Sequence, residues 1–403
     1  MLHQLSSDLS ILLAWCKQTG DDMKIDFRLS RNDHRVIEDF LAQRPEHVGA
    51  LVVEAPNLER QAAAIELARS VGVEVVVELH TERLAFEGFE VDHLDYVDHL
   101  PLNPAELVEE SARTEFVKRV VAVQDPYATQ ITAPSFHADS RELLSLNLRL
   151  ADATATAADQ NRPIRAVLST TRSLLVEQGP SIVGARYRAA GVGVIDLRIS
   201  PLGGDDEGPA KIRSVLQLAE TIRGSGLHVT LGHQGVIGPV ALALDAVDSF
   251  SVGVGQREQY NFRGLIASQR RSASGDRGEE EDRRGPISGI RLPALDLTAP
   301  RGLGRALIAD RGIRSRLGIV ADTIEAPAGD PRPAYLQNRH HQVAALADLQ
   351  NGRWRAVREV ERIARAIELR QLVNSAHLPD GFRPLKIRTL SSMRGILEEV
   401  LAD

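Results

Sequence analysis

The sequence predicts an α/β fold: a (β/α)8 TIM barrel preceded by an N-terminal helix and followed by a mainly helical C-terminal region. Three observations predict it. Eight short apolar runs punctuate residues 24–269, most of them rich in β-branched residues and all too short for helices. The stretches between them carry helix start and stop signals. No G-x-G-x-x-G follows the first run, which argues against an open, doubly wound sheet.

In chain order the runs are KIDFRLS (24–30), VGALVVEAP (48–56), VEVVVELH (73–80), TQITAPSF (129–136), IRAVLST (164–170), VGVIDLRIS (192–200), HVTLGH (228–233) and DSFSVGVG (248–255). Asn57 reads as a helix N-cap with Gly72 as the stop, and Asn103 as a cap with Pro104 at the first helical position. Asp139 stands three residues before Glu142, the spacing of a capping box. Residues 1–23 read as a helical segment and 24–269 as the barrel, with 270–300 a charged loop or insertion and 301–403 a basic helical region. Within the last, Trp354, Val357, Val360, Ile363, Ala364 and Ile367 repeat at helical spacing, with arginines on the other face.

Composition narrows the class. Hydrophobic content of 43% and charged content of 26% are those of a soluble globular protein. A single cysteine, Cys16, allows neither an internal disulfide nor a cysteine-built zinc site and fits a reducing cytoplasm. No apolar run approaches the roughly 20 residues that span a bilayer. The N-terminal stretch shows no basic leader or small-residue cleavage site, so the expected location is cytoplasmic. Charge is uneven: residues 1–265 carry 25 Lys+Arg against 37 Asp+Glu, whereas 301–403 carry 17 against 12. A basic segment on an acidic body is where a polyanion docks, and equally where helix faces are simply solvated.

In a barrel of this kind reactive groups lie at the C-terminal ends of the strands. Those ends offer Glu54, Glu78, His80, His137, Asp139, Arg198, His233, Gln234, Gln256, Arg257 and Glu258. Each also has a plain reading. Asp139 caps a helix, Glu54 is a turn carboxylate, and Arg198 shares a strand face with Asp196 and forms an ion pair inside the barrel. His80, His137 and His233 come from three strands and make an alternative metal set, although no H-x-H or H-E-x-x-H spacing supports one. No cofactor is therefore expected, a divalent metal being the alternative.

The turns after the seventh and eighth runs are glycine-rich. Gly232, Gln234, Gly235, Gly253, Gly255, Gln256 and Arg257, with His137 and Arg198, form the expected phosphate-binding set, because glycines let an anion approach backbone N–H groups. His233 would orient the rest of the ligand.

The stretch LGHQGVIGPVALALDAVDSFSVGVGQREQYNF (231–262) resembles the last β/α/β unit of the tRNA-guanine transglycosylase barrels, and RPAYLQNRHHQVAAL (332–346) is similar to the helical layout after that barrel. The resemblance implies exchange or removal of a base at an N-glycosidic bond in nucleic acid, DNA in some relatives. It departs at three places: Ser251 stands at the family's nucleophilic aspartate, its zinc cysteines have no counterpart, and Gln256 replaces the threonine before Arg257. With these departures, glycosidic hydrolysis or a changed substrate fits better than exchange through a covalent aspartate. Glu54, Asp139 and Glu258 are then the carboxylates to place near the sugar, and His233 completes the catalytic set. Arg353, Arg355, Arg358 and Arg362 would track a nucleic-acid strand, with Tyr127, Phe136, Tyr260 and Phe262 available for stacking. The expected function is a glycosylase or base-exchange enzyme acting on a nucleotide or nucleic acid. The alternatives are a metal-dependent barrel enzyme on a small phosphorylated or carboxylated metabolite, and a catalytically silent binding subunit.

Overall fold

The computed structural model describes residues 23–89, 94–159, 161–256, 258–273, 288–317, 329–376 and 382–402. The expected N-terminal helix and most of the charged stretch before Ser288 lie outside the described residues, as does Arg257.

All eight runs are strands: β1 (Lys24–Leu29), β2 (Val48–Glu54), β3 (Glu74–Glu78), β4 (Ile131–Ala133), β5 (Ile164–Thr170), β6 (Val192–Ile199), β7 (His228–Leu231) and β8 (Ser249–Gly253). They pair in parallel in the order β3-β2-β1-β8-β7-β6-β5-β4. The remaining seam, between β3 and β4, is bridged at Val76 and Gln130, and the N–H groups of Thr129 and Gln130 both donate to the Val75 carbonyl at 2.9 and 3.3 Å. The result is a nearly closed (β/α)8 barrel. β4 is the shortest barrel strand because Pro134 follows it, and proline has no N–H to continue a ladder.

Helices α1 (His34–Leu41), α2 (Ala62–Ser70), α3 (Thr81–Leu84), α4 (Glu110–Gln124), α5 (Arg141–Ala157), α6 (Arg172–Gln178), α7 (Pro180–Ala189), α8 (Pro209–Arg223), α9 (Gly238–Ala243) and α10 (Phe262–Ala273) fill the connections. The outward residues of the strands, such as Ile25, Phe27 and Leu29 of β1 and Ile195 and Leu197 of β6, are buried against them in one continuous core. The inward residues follow the opposite parity and are largely polar: Asp26, Arg28, Glu78, Arg165, Ser169, Asp196, Arg198, Thr230, Ser249 and Ser251 are all buried. Ala50, Val52 and Val76 form a small separate apolar cluster.

Beyond the barrel come a hairpin, β9 (Ile290–Leu292) and β10 (Leu297–Ala299), inside the stretch expected to be a loop, and helices α11 (Arg301–Ala309), α12 (Arg311–Arg316), α13 (Arg332–Ala347), α14 (Gly352–Ser375) and α15 (Arg388–Ala402). Two expectations need correction here. Ser140, not Asp139, caps α5: its hydroxyl accepts from the Leu143 N–H at 3.3 Å, and Asp139 is exposed. On α14 the packed face runs through Arg355, Ala356, Glu359, Ile363, Ala366, Arg370 and Val373, and Trp354 is 64% exposed. The expected Val360, Ile363 and Ile367 do pack on the core; Trp354 does not, and polar side chains complete the interface. Arg355 donates to Asp245 at 2.5 Å, and Arg370 donates to the carbonyls of Leu295 and Asp296, both at 2.8 Å. Among the described residues no helix is long and apolar enough to cross a membrane.

Candidate active site

A barrel lumen cannot hold isolated charges, because desolvation is repaid only by close pairing. Here three arginines meet three carboxylates. Arg28 and Arg198 each donate to both Glu78 and Asp196; Arg198 does so at 2.7 Å to each. Arg165 donates to Asp26 at 3.0 Å. Burial alone would push the Glu78 and Asp196 carboxyls up, but Arg198 and Arg28 outweigh it and hold both well below the usual carboxylate range. The Asp196–Arg198 ion pair expected from the strand parity is formed. Arg198 is thereby fully engaged within the protein.

Above this layer, at the C-terminal end of β3, sits His80. Its Nε2 lies 3.3 Å from Glu54, and its Nδ1 lies 3.8 Å from Glu78 and 4.0 Å from Glu82, all within ion-pair distance. Burial lowers the affinity of this imidazole for a proton, but Glu54 and Glu82 overcome it and raise the pKa above 6.5. Glu54 is itself oriented by the Asn57 amide, which donates to it at 2.9 Å. Glu82 is buried on the first turn after β3 and stands 3.6 Å from Arg198. Sequence reading stopped at His80 and missed Glu82; the alternation Glu78-x-His80-x-Glu82 was the available signal. Ligand atoms of these three residues all lie within 4.8 Å of one another.

The other two histidines are placed differently. His137 stacks on Phe262 at 4.1 Å, with the rings 16° apart, and its Nδ1 is 2.8 Å from the Ser169 hydroxyl. Ser169 in turn is 2.7 Å from the Tyr260 hydroxyl. Burial, aided by Arg263 and opposed by Asp139 and Glu82, lowers the His137 pKa to about 4. His233 stacks on Tyr260 at 5.5 Å, and its backbone N–H donates to the Ser251 hydroxyl at 3.1 Å. Burial and the nearby Arg28 and Arg198 keep it neutral. Among the described residues, Glu78, His80 and Glu82, and not His80, His137 and His233, lie close enough together that they could hold a metal ion. His80 and His233 both have left-handed backbone, with φ of 55° and 57°, a conformation that costs a non-glycine residue about 1–3 kcal/mol and is tolerated where surrounding structure dictates it.

The glycine-rich turns serve packing at two of the expected positions. A Cβ on Gly232 would strike the Asp196 carboxylate and come within 2.7 Å of Arg198 Cγ; one on Gly235 would lie 2.6 Å from the Arg339 guanidinium. Gln234 is fully buried and donates to the Leu202 carbonyl at 3.3 Å. Gly253 pairs with Arg28 inside the β1–β8 ladder. Gly255 and Gln256 line a cleft of about 370 Å³ between the loops after β6 and β8 and the β9–β10 hairpin. Glu258 lines it too, but its carboxylate is held by Arg339 and by the Tyr335 hydroxyl, which donates at 2.6 Å. Of the four expected nucleic-acid arginines, Arg355 pairs with Asp245 and Arg362 with Glu359 and Asp296. Arg353 and Arg358 are exposed.

No protein-family model and no curated protein matches the chain. Similar solved structures include thiamine phosphate pyrophosphorylase from Pyrococcus furiosus, 11% identical with a TM-score of 0.32, covering 64% of this chain and 98% of that one. A phosphonopyruvate hydrolase complex with oxalate and Mg2+ is 14% identical with a TM-score of 0.32, covering 79% and 98%. The carboxyl transferase domain of Rhizobium etli pyruvate carboxylase is 12% identical with a TM-score of 0.34, covering 96% and 74%. Likeness at this level says nothing about substrate.

Proposed function

We propose that this barrel is an enzyme that transfers a proton to a small polar substrate at its C-terminal mouth, with His80 as general acid and Glu82 as the carboxylate facing the reacting centre. One observation carries the reading: a buried imidazole sits among three carboxylates, its ring nitrogens 3.3 Å from Glu54, 3.8 Å from Glu78 and 4.0 Å from Glu82. An imidazolium held there is both stabilised by the carboxylates and available to give its proton away. His137, whose pKa burial lowers to about 4, is the contrasting neutral partner, a hydrogen-bonding group beside the acid.

Applied to an N-glycosidic bond, this chemistry is protonation of the departing base by His80 while the Glu82 carboxylate stabilises positive charge on the sugar; a water molecule then bonds to the anomeric carbon and gives its proton to Glu82, which completes the hydrolysis. A nucleoside or nucleotide suits the site better than a polymer, because Arg355 and Arg362 are engaged within the protein. The test is mass spectrometry of nucleoside and nucleotide pools incubated with the wild type, His80→Gln and Glu82→Gln. Base release that falls by about 10²–10⁴-fold in both variants supports the reading; unchanged pools, or release indifferent to both substitutions, refute it.

A second reading is favoured by the same cluster. Glu78, His80 and Glu82 are a donor set suited to a divalent first-row cation. It ranks second because both oxygens of Glu78 already accept from guanidinium groups. One equivalent of tightly held metal, lost in a Glu82→Ala protein, would reverse that order.

A further inference from the structure

Behind His137 runs a hydrogen-bonded chain that the chemistry above does not use. Ser169 is fully buried on β5, with its hydroxyl oxygen 2.8 Å from His137 Nδ1 and 2.7 Å from the hydroxyl oxygen of Tyr260, itself only 5% exposed. Among the described residues, Ser169 is the hydrogen-bond partner of that phenol. Burial pushes the Tyr260 phenol far above its usual range, so it keeps its proton at any physiological pH.

A phenol that keeps its proton has one to donate, and Ser169 Oγ, 2.7 Å away, is placed to accept it. Ser169 then donates its own proton onward, and the atom in reach is His137 Nδ1. A neutral imidazole that accepts at Nδ1 carries its proton on Nε2. Stacking on Phe262 at 4.1 Å sets the plane of the ring, and the Ser169 contact at 2.8 Å sets which edge faces β5.

We propose that Tyr260 and Ser169 are positioning residues that fix His137 as the Nε2–H tautomer, making it a directed hydrogen-bond donor to a substrate oxygen or ring nitrogen that gains negative charge. The class of ligand it would take therefore has an acceptor atom at the reacting end, such as a carbonyl or a purine ring nitrogen. What the N–H touches rests on the function proposed above; the tautomer does not.

The experiment is long-range ¹H–¹⁵N correlation of the protein labelled with ¹⁵N-histidine at pH 7, with His137 assigned by its absence in His137→Gln. The wild type is expected to show a protonated Nε2 and an unprotonated, hydrogen-bonded Nδ1. Ser169→Ala and Tyr260→Phe are each expected to give shifts averaged between the two tautomers, and Ser169→Thr, which keeps the hydroxyl, to restore the wild-type pattern. Proton on Nδ1 in the wild type overturns the proposal, as does an unaltered Nε2–H pattern in both Ser169→Ala and Tyr260→Phe. The wild-type spectrum alone decides the first point if a variant fails to fold. An Nε2–H His137 in a protein that changes no nucleoside pool would leave this inference standing and remove the proposed function instead.

Discussion

Replacing Glu258 by Gln separates a structural role from a catalytic one. Glu258 accepts from Arg339 Nε at 3.1 Å, from a second Arg339 nitrogen and from Tyr335 at 2.6 Å, and Arg339 is fully buried. The neutral amide would leave that guanidinium buried without its counter-charge, which costs about 3–5 kcal/mol. At roughly 2.1 cal/mol/K per residue, a chain of 403 residues unfolds with an entropy of about 0.85 kcal/mol/K, so the expected fall in Tm is about 4–6 °C. Arg339→Met should also destabilise, and the double variant should recover most of the loss, because a buried ion pair replaced as a unit is nearly neutral. The assay is thermal unfolding by circular dichroism of all four proteins. The effect also has a pH signature. Burial would raise the Glu258 carboxyl, but Arg339 outweighs it and holds it below the ordinary 4.5. Its contribution is therefore complete above about pH 4.5 and is lost as pH falls through the lower folded value, so the gap between wild type and Glu258→Gln should close in acid. A Glu258→Gln protein with an unchanged Tm and abolished turnover would refute the structural account and return Glu258 to the catalytic set.

Three further outcomes are expected. Under metal-free conditions His80 should titrate above 6.5 by NMR; its stabilising contribution is present in full below that value and lost as pH rises through the folded pKa, so a His80→Gln deficit that grows toward alkaline pH would contradict the carboxylate cluster. Gly232→Ala should destabilise by several kcal/mol, whereas Gly395→Ala, an open position in α15, should stabilise by about 0.5–1 kcal/mol; urea unfolding compares them, and equal effects would disprove the packing role of Gly232. Trp354→Ala should change stability by less than about 0.5 kcal/mol and Arg355→Ala should cost about 1–3 kcal/mol, the reverse of what the hydrophobic pattern alone suggests.

The chain by itself determined the barrel. Alternation, short β-branched runs and helix signals are local properties, and all eight strands follow from them. The same period of two put Asp196 and Arg198 on one face, which made their ion pair legible before any coordinates. Partners distant in sequence were not legible, since no local pattern says which cation a carboxylate will meet. Glu258 reads as a rim carboxylate until Arg339, 81 residues later, closes on it. Arg355 reads as a solvent-facing cation until Asp245 buries it. Gly232 and Gly235 read as room for a ligand, and the folded chain fills that room with its own Arg198 and Arg339. The mouth shows the same division. His80 was visible as a strand end, but its setting among Glu54, Glu78 and Glu82 required β2, β3 and the following turn to stand side by side. Sequence distributes charges along a line, and only tertiary packing decides which are neutralised inside the protein and which remain to act on something else.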